Sequence, residues 1–239
     1  MAGLSSKKRR VLHMYFQIED WGVNFPIKKA VAIQDEYWAE KVFKNKENDQ
    51  LIFVEHEPVY TAGASLAKNL AGIQRCFKKE IWELPAPIEI IGRGGLVTYQ
   101  GPGILSVYCI FEIKNMSISN FENALLDSAA ACLKTYGVET RRRKDNPGLY
   151  IGKEKKIASV GLQISRGVTR YGMTVSLDPE EKYLEPLIPC GLKDVRITSM
   201  AEELNVKSFS ESEKDEIKIK LATELISRYH KPRSERMPL

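Results

Sequence analysis

The sequence predicts an α+β fold. Three features lead there: two neighbouring β-rich runs joined by a short polar loop near residue 150, a long amphipathic helix before them, and a second long helix near the C-terminal end. Local hairpins beside long helices do not follow the strand–helix–strand alternation of a doubly wound sheet.

In order along the chain, Asn24 and Pro26 mark a helix start, proline being favoured in the first turn. Ile27, Val31, Trp38 and Val42 follow at roughly helical spacing, and the polar stretch 44–50 ends the helix. Residues 51–55 (LIFVE) read as a buried strand. Pro58 to Gly63 punctuate a loop. Residues 88–91 form a short strand that Gly92-Arg93-Gly94-Gly95 breaks; residues 96–99 resume it until Gly101-Pro102-Gly103 breaks it again. Two glycine clusters this close imply backbone that turns sharply or approaches something closely. Residues 104–113 are a long β-rich run. A helix over 121–136 is capped by Ser119 or Asn120, carries apolar residues at 121, 125, 129, 132, 133 and 136, and stops at Gly137. Residues 149–151 and 157–164 read as strands of a hairpin with its loop at 152–155, and 168–177 as a further strand. Ser199 with Glu202 forms a capping box, and Ser210 with Glu213 forms a second one that opens the C-terminal helix.

Composition bounds the function. The chain has 239 residues, 43% of them hydrophobic, and carries a net charge of +5. That suffices for a full core and excludes a disordered chain, a collagen-like chain and a disulfide scaffold. No apolar run is long enough for a membrane helix. One domain is expected over 19–239. Residues 1–18, with Lys7, Lys8, Arg9 and Arg10 and no acid before Gln17, form either a solvated basic tail or part of a mitochondrial transit segment. Cys76, Cys109, Cys132 and Cys190 contain no C-x-x-C pair, and His13, His56 and His230 are too few for a multi-histidine metal site. Cys109 and Cys132 sit in apolar periodic stretches and read as small buried hydrophobes.

Four segments carry candidate chemistry. RGGLVTYQGPG (93–103) has four glycines whose backbone N–H groups could cradle an anion or a thioester carbonyl, with Arg93 adding a positive fork. It equally reads as a structural turn with a surface arginine. It is neither a P-loop nor a dinucleotide fingerprint. Cys190, between Pro189 and Gly191, lies on an irregular segment, unlike Cys109 and Cys132. It gains reactivity only if a neighbour stabilises its thiolate, and otherwise is a loop cysteine without a role. Lys155-Lys156 opens the strand IASVGLQI, and matters chemically only if the fold brings it to Cys190. Arg141-Arg142-Arg143-Lys144 is either a solvated loop or a dock for an acidic partner.

VEHEPVYTAG (54–63), RGGLVTYQGPG (93–103), NPGLYIGKEKKIASVGLQI (146–164) and PLIPCGLKDVRITSM (186–200) occur in that order. Together they resemble the lipoyl(octanoyl) transferase family. The resemblance runs from about the first helix to Ser199. It implies the fold shared with biotin- and lipoate-protein ligases, a twisted mixed β-sheet core flanked by helices. It also implies that octanoyl passes from octanoyl-acyl carrier protein to a lysine of lipoyl domains, through a thioester on the enzyme. The family nucleophile falls on Cys190 and its partner lysine on Lys156. The binding stretches fall on Arg93, Gly94, Gly95, Leu96, Val97, Thr98, Tyr99 and Gln100, on Ser159, Val160 and Gly161, and on Gly172, Met173 and Thr174.

The physical logic fits these assignments. A lysine ammonium beside a thiol favours thiolate, and backbone N–H groups near Cys190 or the glycine loops would stabilise a tetrahedral oxyanion. The incoming lysine amine, with a free pKa of about 10.4, attacks only when deprotonated, and a neutral Lys156 could take that proton. Two departures stand out: Gln100 and Tyr171 occupy positions where relatives commonly carry histidine, and neither titrates near neutrality. Both read as orienting groups, and His56 reads as structural.

The resemblance implies no metal and no dissociable cofactor; no membrane is expected, and no nucleic acid, because the basic run 141–144 lacks interleaved aromatics. The expected partners are octanoyl-acyl carrier protein as donor, with lipoyl domains of 2-oxoacid dehydrogenase subunits and the glycine-cleavage H protein as acceptors. A monomer is expected, in the mitochondrion of a eukaryote or the cytoplasm of a bacterium. The competing readings are an ATP-dependent lipoate-protein ligase and a non-catalytic member that only binds an acyl carrier.

Overall fold

A computed structural model describes residues 15–113, 116–143, 146–192 and 194–229, Cys190 by its backbone alone. The basic block 7–10, Lys144, His13 and His230 lie outside the described residues. The elements are β1 (Phe16–Asp20), α1 (Ile27–Phe43), β2 (Asp49–Val54), β3 (Val59–Ala62), α2 (Leu70–Gln74), β4 (Ile88–Ile90), β5 (Val97–Gln100), β6 (Ile104–Ile110), α3 (Ile118–Lys134), β7 (Arg141–Arg142), β8 (Leu149–Ile151), β9 (Lys155–Ser165), β10 (Val168–Ser176), α4 (Glu181–Leu184), β11 (Arg196–Ile197), α5 (Met200–Leu204) and α6 (Glu211–Tyr229).

The main sheet runs β1-β2-β6-β10-β9-β8-β7, with β11 also pairing β9. It is mixed: β1 is parallel to β2 and β11 to β9, and the other pairs are antiparallel. A smaller sheet runs β4-β3-β5.

Strand periodicity sorts the core into layers. On β2 and β6, Leu51, Phe53, Leu105, Val107 and Cys109 face Phe121, Leu125, Leu221 and Leu225 of α3 and α6. The alternating Ile52, Val54, Tyr108 and Ile110 face Ile27 and Ala30 of α1. A third cluster, built on Tyr60, Ile73, Phe77 and Tyr99, lies around the small sheet.

The structure shows the α+β architecture expected from the sequence: a mixed sheet flanked by helices. Cys109 and Cys132 are buried within it. Three local expectations change. Residues 59–62 are a strand rather than loop, because Val59, Tyr60 and Ala62 are buried and the segment pairs on both sides, with Ile88 and with Tyr99. Helix α3 is capped by Ser117, whose hydroxyl accepts from the Asn120 N–H at 3.1 Å, so it begins earlier than Ser119 or Asn120 would set. The Ser199 box is only half formed: Glu202 N–H donates to Ser199 Oγ at 3.1 Å, but the Glu202 carboxylate pairs with Arg196. At Ser210 both halves form, with Ser210 N–H donating to the Glu213 carboxylate at 2.7 Å.

Candidate active site

A cavity of about 360 Å³ opens between the Arg93–Gly95 loop, the middle of β9, the middle of β10 and the segment carrying Asn146 and Pro147. The loop lies directly on β9. Gly94 N–H donates to the Leu162 carbonyl at 2.9 Å. A side chain at Gly161 would meet Arg93 Cδ at 3.1 Å and the Gly94 carbonyl at 3.2 Å, so glycine lets loop and strand close up. Gly172 is tighter still: a Cβ there would stand 2.2 Å from the Val107 carbonyl of the adjacent strand.

Arg93 is buried, and its fork serves the loop. It donates to Thr61 Oγ1 at 2.9 Å, to the Thr61 carbonyl and to the Gly94 carbonyl at 2.9 Å. These bonds lock the Gly-rich turn onto β3. Neighbouring Gln100 belongs to the same buried chain. Its Nε2 donates to Thr61 Oγ1 at 3.3 Å, and its Oε1 accepts from Ser106 Oγ at 3.3 Å. The Tyr108 hydroxyl stands 3.1 Å from Gln100 Oε1 and 2.7 Å from His56 Nε2, with its single proton shared between them.

Tyr171 has a left-handed backbone, φ +61°. Residues two apart in a regular strand share a face, yet Met173 lies in the core under α3 and α6 while Tyr171 packs with Tyr108 on the α1 side. The positive φ makes that difference, in a region a bulky residue enters only when its surroundings hold it. They do so twice: the Tyr171 N–H donates to Gln34 Oε1 at 2.8 Å, and its hydroxyl accepts from the Gly92 N–H at 3.0 Å. Gln100 and Tyr171 thus both orient their surroundings through hydrogen bonds. Burial raises the Tyr171 phenol pKa further from neutrality.

Lys156, on β9, is 4% exposed. Its Nζ donates to Asn146 Oδ1 at 2.8 Å and to the Pro147 carbonyl at 3.0 Å. Two such acceptors suit an ammonium, which has only donors to offer. The segment around Cys190 is brought to the same cavity by its backbone. Pro189–Gly191 form a 3₁₀ turn, Pro189 lines the cavity, and β11 just beyond pairs with Lys155 and Lys156 in parallel. The Cys190 side chain lies outside the described atoms.

The structure therefore brings Lys156, Arg93, Gly94, Gly95, Leu96, Val97, Thr98, Gln100, Ser159, Val160, Gly161, Gly172, Met173 and Thr174 to one cavity. Tyr99 does not line it. Strand alternation turns Tyr99 into the small-sheet core, where its ring stacks on Tyr183 at 4.8 Å between centroids. Glu122, Asn146 and Tyr108 line the cavity and carry no site role in the sequence reading. Asn146 sits inside the NPG motif, which is a sequence signal; Glu122 and Tyr108 look like ordinary helix and strand positions.

Among the described residues no group of His, Cys, Asp and Glu could hold a metal ion, and no helix is long and apolar enough to cross a membrane.

The lipoyl protein ligase A/B catalytic domain family matches residues 26–225. The chain is 30% identical to an octanoyltransferase of Persephonella marina, over 83% of this chain and 91% of that relative. It is 31% identical to one of Flavobacterium johnsoniae, over 87% and 94%. A mitochondrial octanoyltransferase of Arabidopsis thaliana is 29% identical, over 73% and 74%. Among solved structures, a putative lipoate protein ligase from T. acidophilum with bound lipoic acid shares the fold, with a TM-score of 0.67 at 12% identity, over 91% of this chain and 87% of that one. A lipoate-protein ligase A bound with ATP does so with a TM-score of 0.64 at 14% identity, over 91% and 86%. The chain belongs to the lipoyl protein ligase A/B catalytic domain family and is an acyltransferase.

Proposed function

We propose that this acyltransferase moves an octanoyl group from octanoyl-acyl carrier protein to a lysine of lipoyl domains, through a thioester on Cys190. The observation that carries the reading is the buried Lys156, fixed by Asn146 and Pro147 on the wall of the cavity that Pro189 also lines. A fixed ammonium beside a cysteine favours its thiolate.

In the first half-reaction the thiolate attacks the donor carbonyl and the carrier thiol leaves, so one thioester replaces another. Leu96, Val97, Val160, Leu162, Met173 and Leu187 give the cavity its apolar wall. Each methylene of the acyl chain buried there contributes ~0.8 kcal/mol. In the second half-reaction a neutral lysine amine attacks the Cys190 thioester, and the thiol is released.

Acidic carriers would meet the basic segment 141–143. Arg142 there is already held by Asp127 and Asn123, and Arg143 stacks over Tyr150 at 5.4 Å, so exposed Arg141 offers the least committed charge of the three. The 2-oxoacid dehydrogenase lipoyl domains and the H protein are the acceptors in this reading.

The test is mass analysis of a lipoyl domain incubated with octanoyl-acyl carrier protein and the enzyme. Octanoylation is expected with the wild type. Lys156→Met is expected to slow it by about tenfold or more, because the Cys190 thiolate then loses the cation that favours it. A lipoyl domain modified only when free lipoate and ATP are supplied would instead show a ligase. A donor that binds but transfers nothing would show a carrier-binding protein.

A further inference from the structure

We infer that Glu122 receives the ammonium of the acceptor lysine and takes its proton; the inference rests on the transfer reading above. Glu122 stands early in α3, next to Phe121, which is fully buried and anchors that turn in the core. From there it lines the cavity together with Asn146, Pro147 and Lys156. Its carboxylate makes no hydrogen bond or ion pair with any described residue, although it is half-buried.

The charge of the cavity gives that carboxylate a task. Among the described lining residues the charged groups are Arg93, Lys156 and Glu122, two cations and one anion. Once Cys190 carries the acyl group its sulfur is neutral. The acceptor lysine arrives as an ammonium, because its free pKa is about 10.4. Without Glu122 it would enter a site whose described charges are all positive.

Lys156 is poorly placed to take the proton. Its Nζ donates to Asn146 Oδ1 and the Pro147 carbonyl, and an ammonium so held has no lone pair to offer. Glu122 has two unengaged oxygens. Burial also raises its pKa above the ordinary carboxylate value, which brings its basicity closer to that of the amine.

The step balances. The ammonium gives one proton to a Glu122 oxygen, leaving a neutral amine and a carboxylic acid. The amine nitrogen bonds to the thioester carbonyl carbon. The C–S bond then breaks, the second amine proton goes to the departing Cys190 sulfur, and an amide and a thiol result. Glu122 afterwards returns its proton to water.

The two half-reactions can be timed separately with wild type, E122Q and E122D. Each is acylated with octanoyl-acyl carrier protein, then discharged either by a lipoyl domain or by hydroxylamine, which is uncharged at neutral pH. E122Q is expected to acylate within about twofold of wild type and to lose its acyl group to hydroxylamine at the wild-type rate. Its discharge by the lipoyl domain is expected to fall at least tenfold, with part of that recovered in E122D. No described partner is lost in E122Q, so it is expected to melt like wild type.

Discharge of E122Q by the lipoyl domain at the wild-type rate would overturn the inference. So would an equal loss toward both acceptors, because a residue that merely shapes the cavity would slow hydroxylamine as well. A wild-type enzyme that forms no acyl intermediate would remove the transfer reading, and this inference with it.

Discussion

At His56, burial decides the chemistry. The ring is fully buried, its Nδ1–H donates to the Phe25 carbonyl at 2.8 Å, and its Nε2 meets the Tyr108 hydroxyl at 2.7 Å. Loss of water pushes its pKa down to about 4, against a smaller opposing effect of the Phe25 carbonyl. An unfolded histidine takes a proton near pH 6.5. The folded protein refuses it until about pH 4, so below 6.5 the unfolded state binds more protons. Stability is therefore full above pH 6.5 and falls as pH drops toward 4, by about 3 kcal/mol in all. Urea unfolding of wild type and His56→Gln at pH 7.5 and 4.5 checks this. The wild type is expected to lose more stability between the two pH values than the variant; equal losses would contradict it. Reading His56 as structural from sequence agrees with these contacts, and the residue itself lies in the quoted segment 54–63. Glu122 was not legible in the same way. It reaches the cavity from a helix outside the quoted motifs, and nothing in its local pattern marks it.

At the scale of elements, one buried ion pair fastens the end of α1 to the start of β2. Lys41 Nζ stands 2.8 Å from Asp49 Oδ1 and also donates to the carbonyls of Lys46, Glu47 and Asn48 at 3.3, 3.1 and 3.2 Å. The Glu112 N–H donates to the same Asp49 oxygen at 3.0 Å. Burial raises the Asp49 pKa, and Lys41 partly reverses that. Lys41→Met would leave a buried carboxylate without its cation, at a cost of about 3–5 kcal/mol. Urea titration at neutral pH reads this directly, and a loss below about 1 kcal/mol would contradict it.

The sequence places α1 and β2 correctly but treats 44–50 as a polar break, because a lysine near a helix end looks solvated until its partner strand is known. The same limit hides β3. Pro58 and Gly63 suggest a loop, and only pairing with β4 and β5, each many residues away, makes 59–62 a strand. The two strands of the β9–β10 hairpin were legible as local β-rich runs, although the sequence reading did not pair them. The hairpin turn, Arg166–Gly167, has φ of +52° and +74°, the twist that closes two-residue hairpins.

At the scale of the molecule, the site depends on joints between distant segments. Lys214 of α6 contacts Glu55 at 3.0 Å and Asp178 at 3.4 Å, all three buried. Glu55 in turn accepts from the Gly103 N–H at 2.6 Å. The C-terminal helix thus holds the turn that joins Gln100 to β6. Burial alone would lower the Lys214 pKa, but Glu55 and Asp178 more than reverse it and hold the charge in place. The order of the motifs was visible in the sequence, whereas the sheet order that brings them to one cavity rests on pairings between distant segments. In the proposed reaction Cys190 carries the acyl group while Lys156 stands charged on the same cavity wall. Intact-mass measurement of the protein after incubation with octanoyl-acyl carrier protein, beside Cys190→Ser, tests it most directly. The gain of one octanoyl group, removed by hydroxylamine and absent from the variant, is expected. An unmodified wild-type protein that still octanoylates a lipoyl domain, or a Cys190→Ser protein that gains the hydroxylamine-sensitive group, would contradict it.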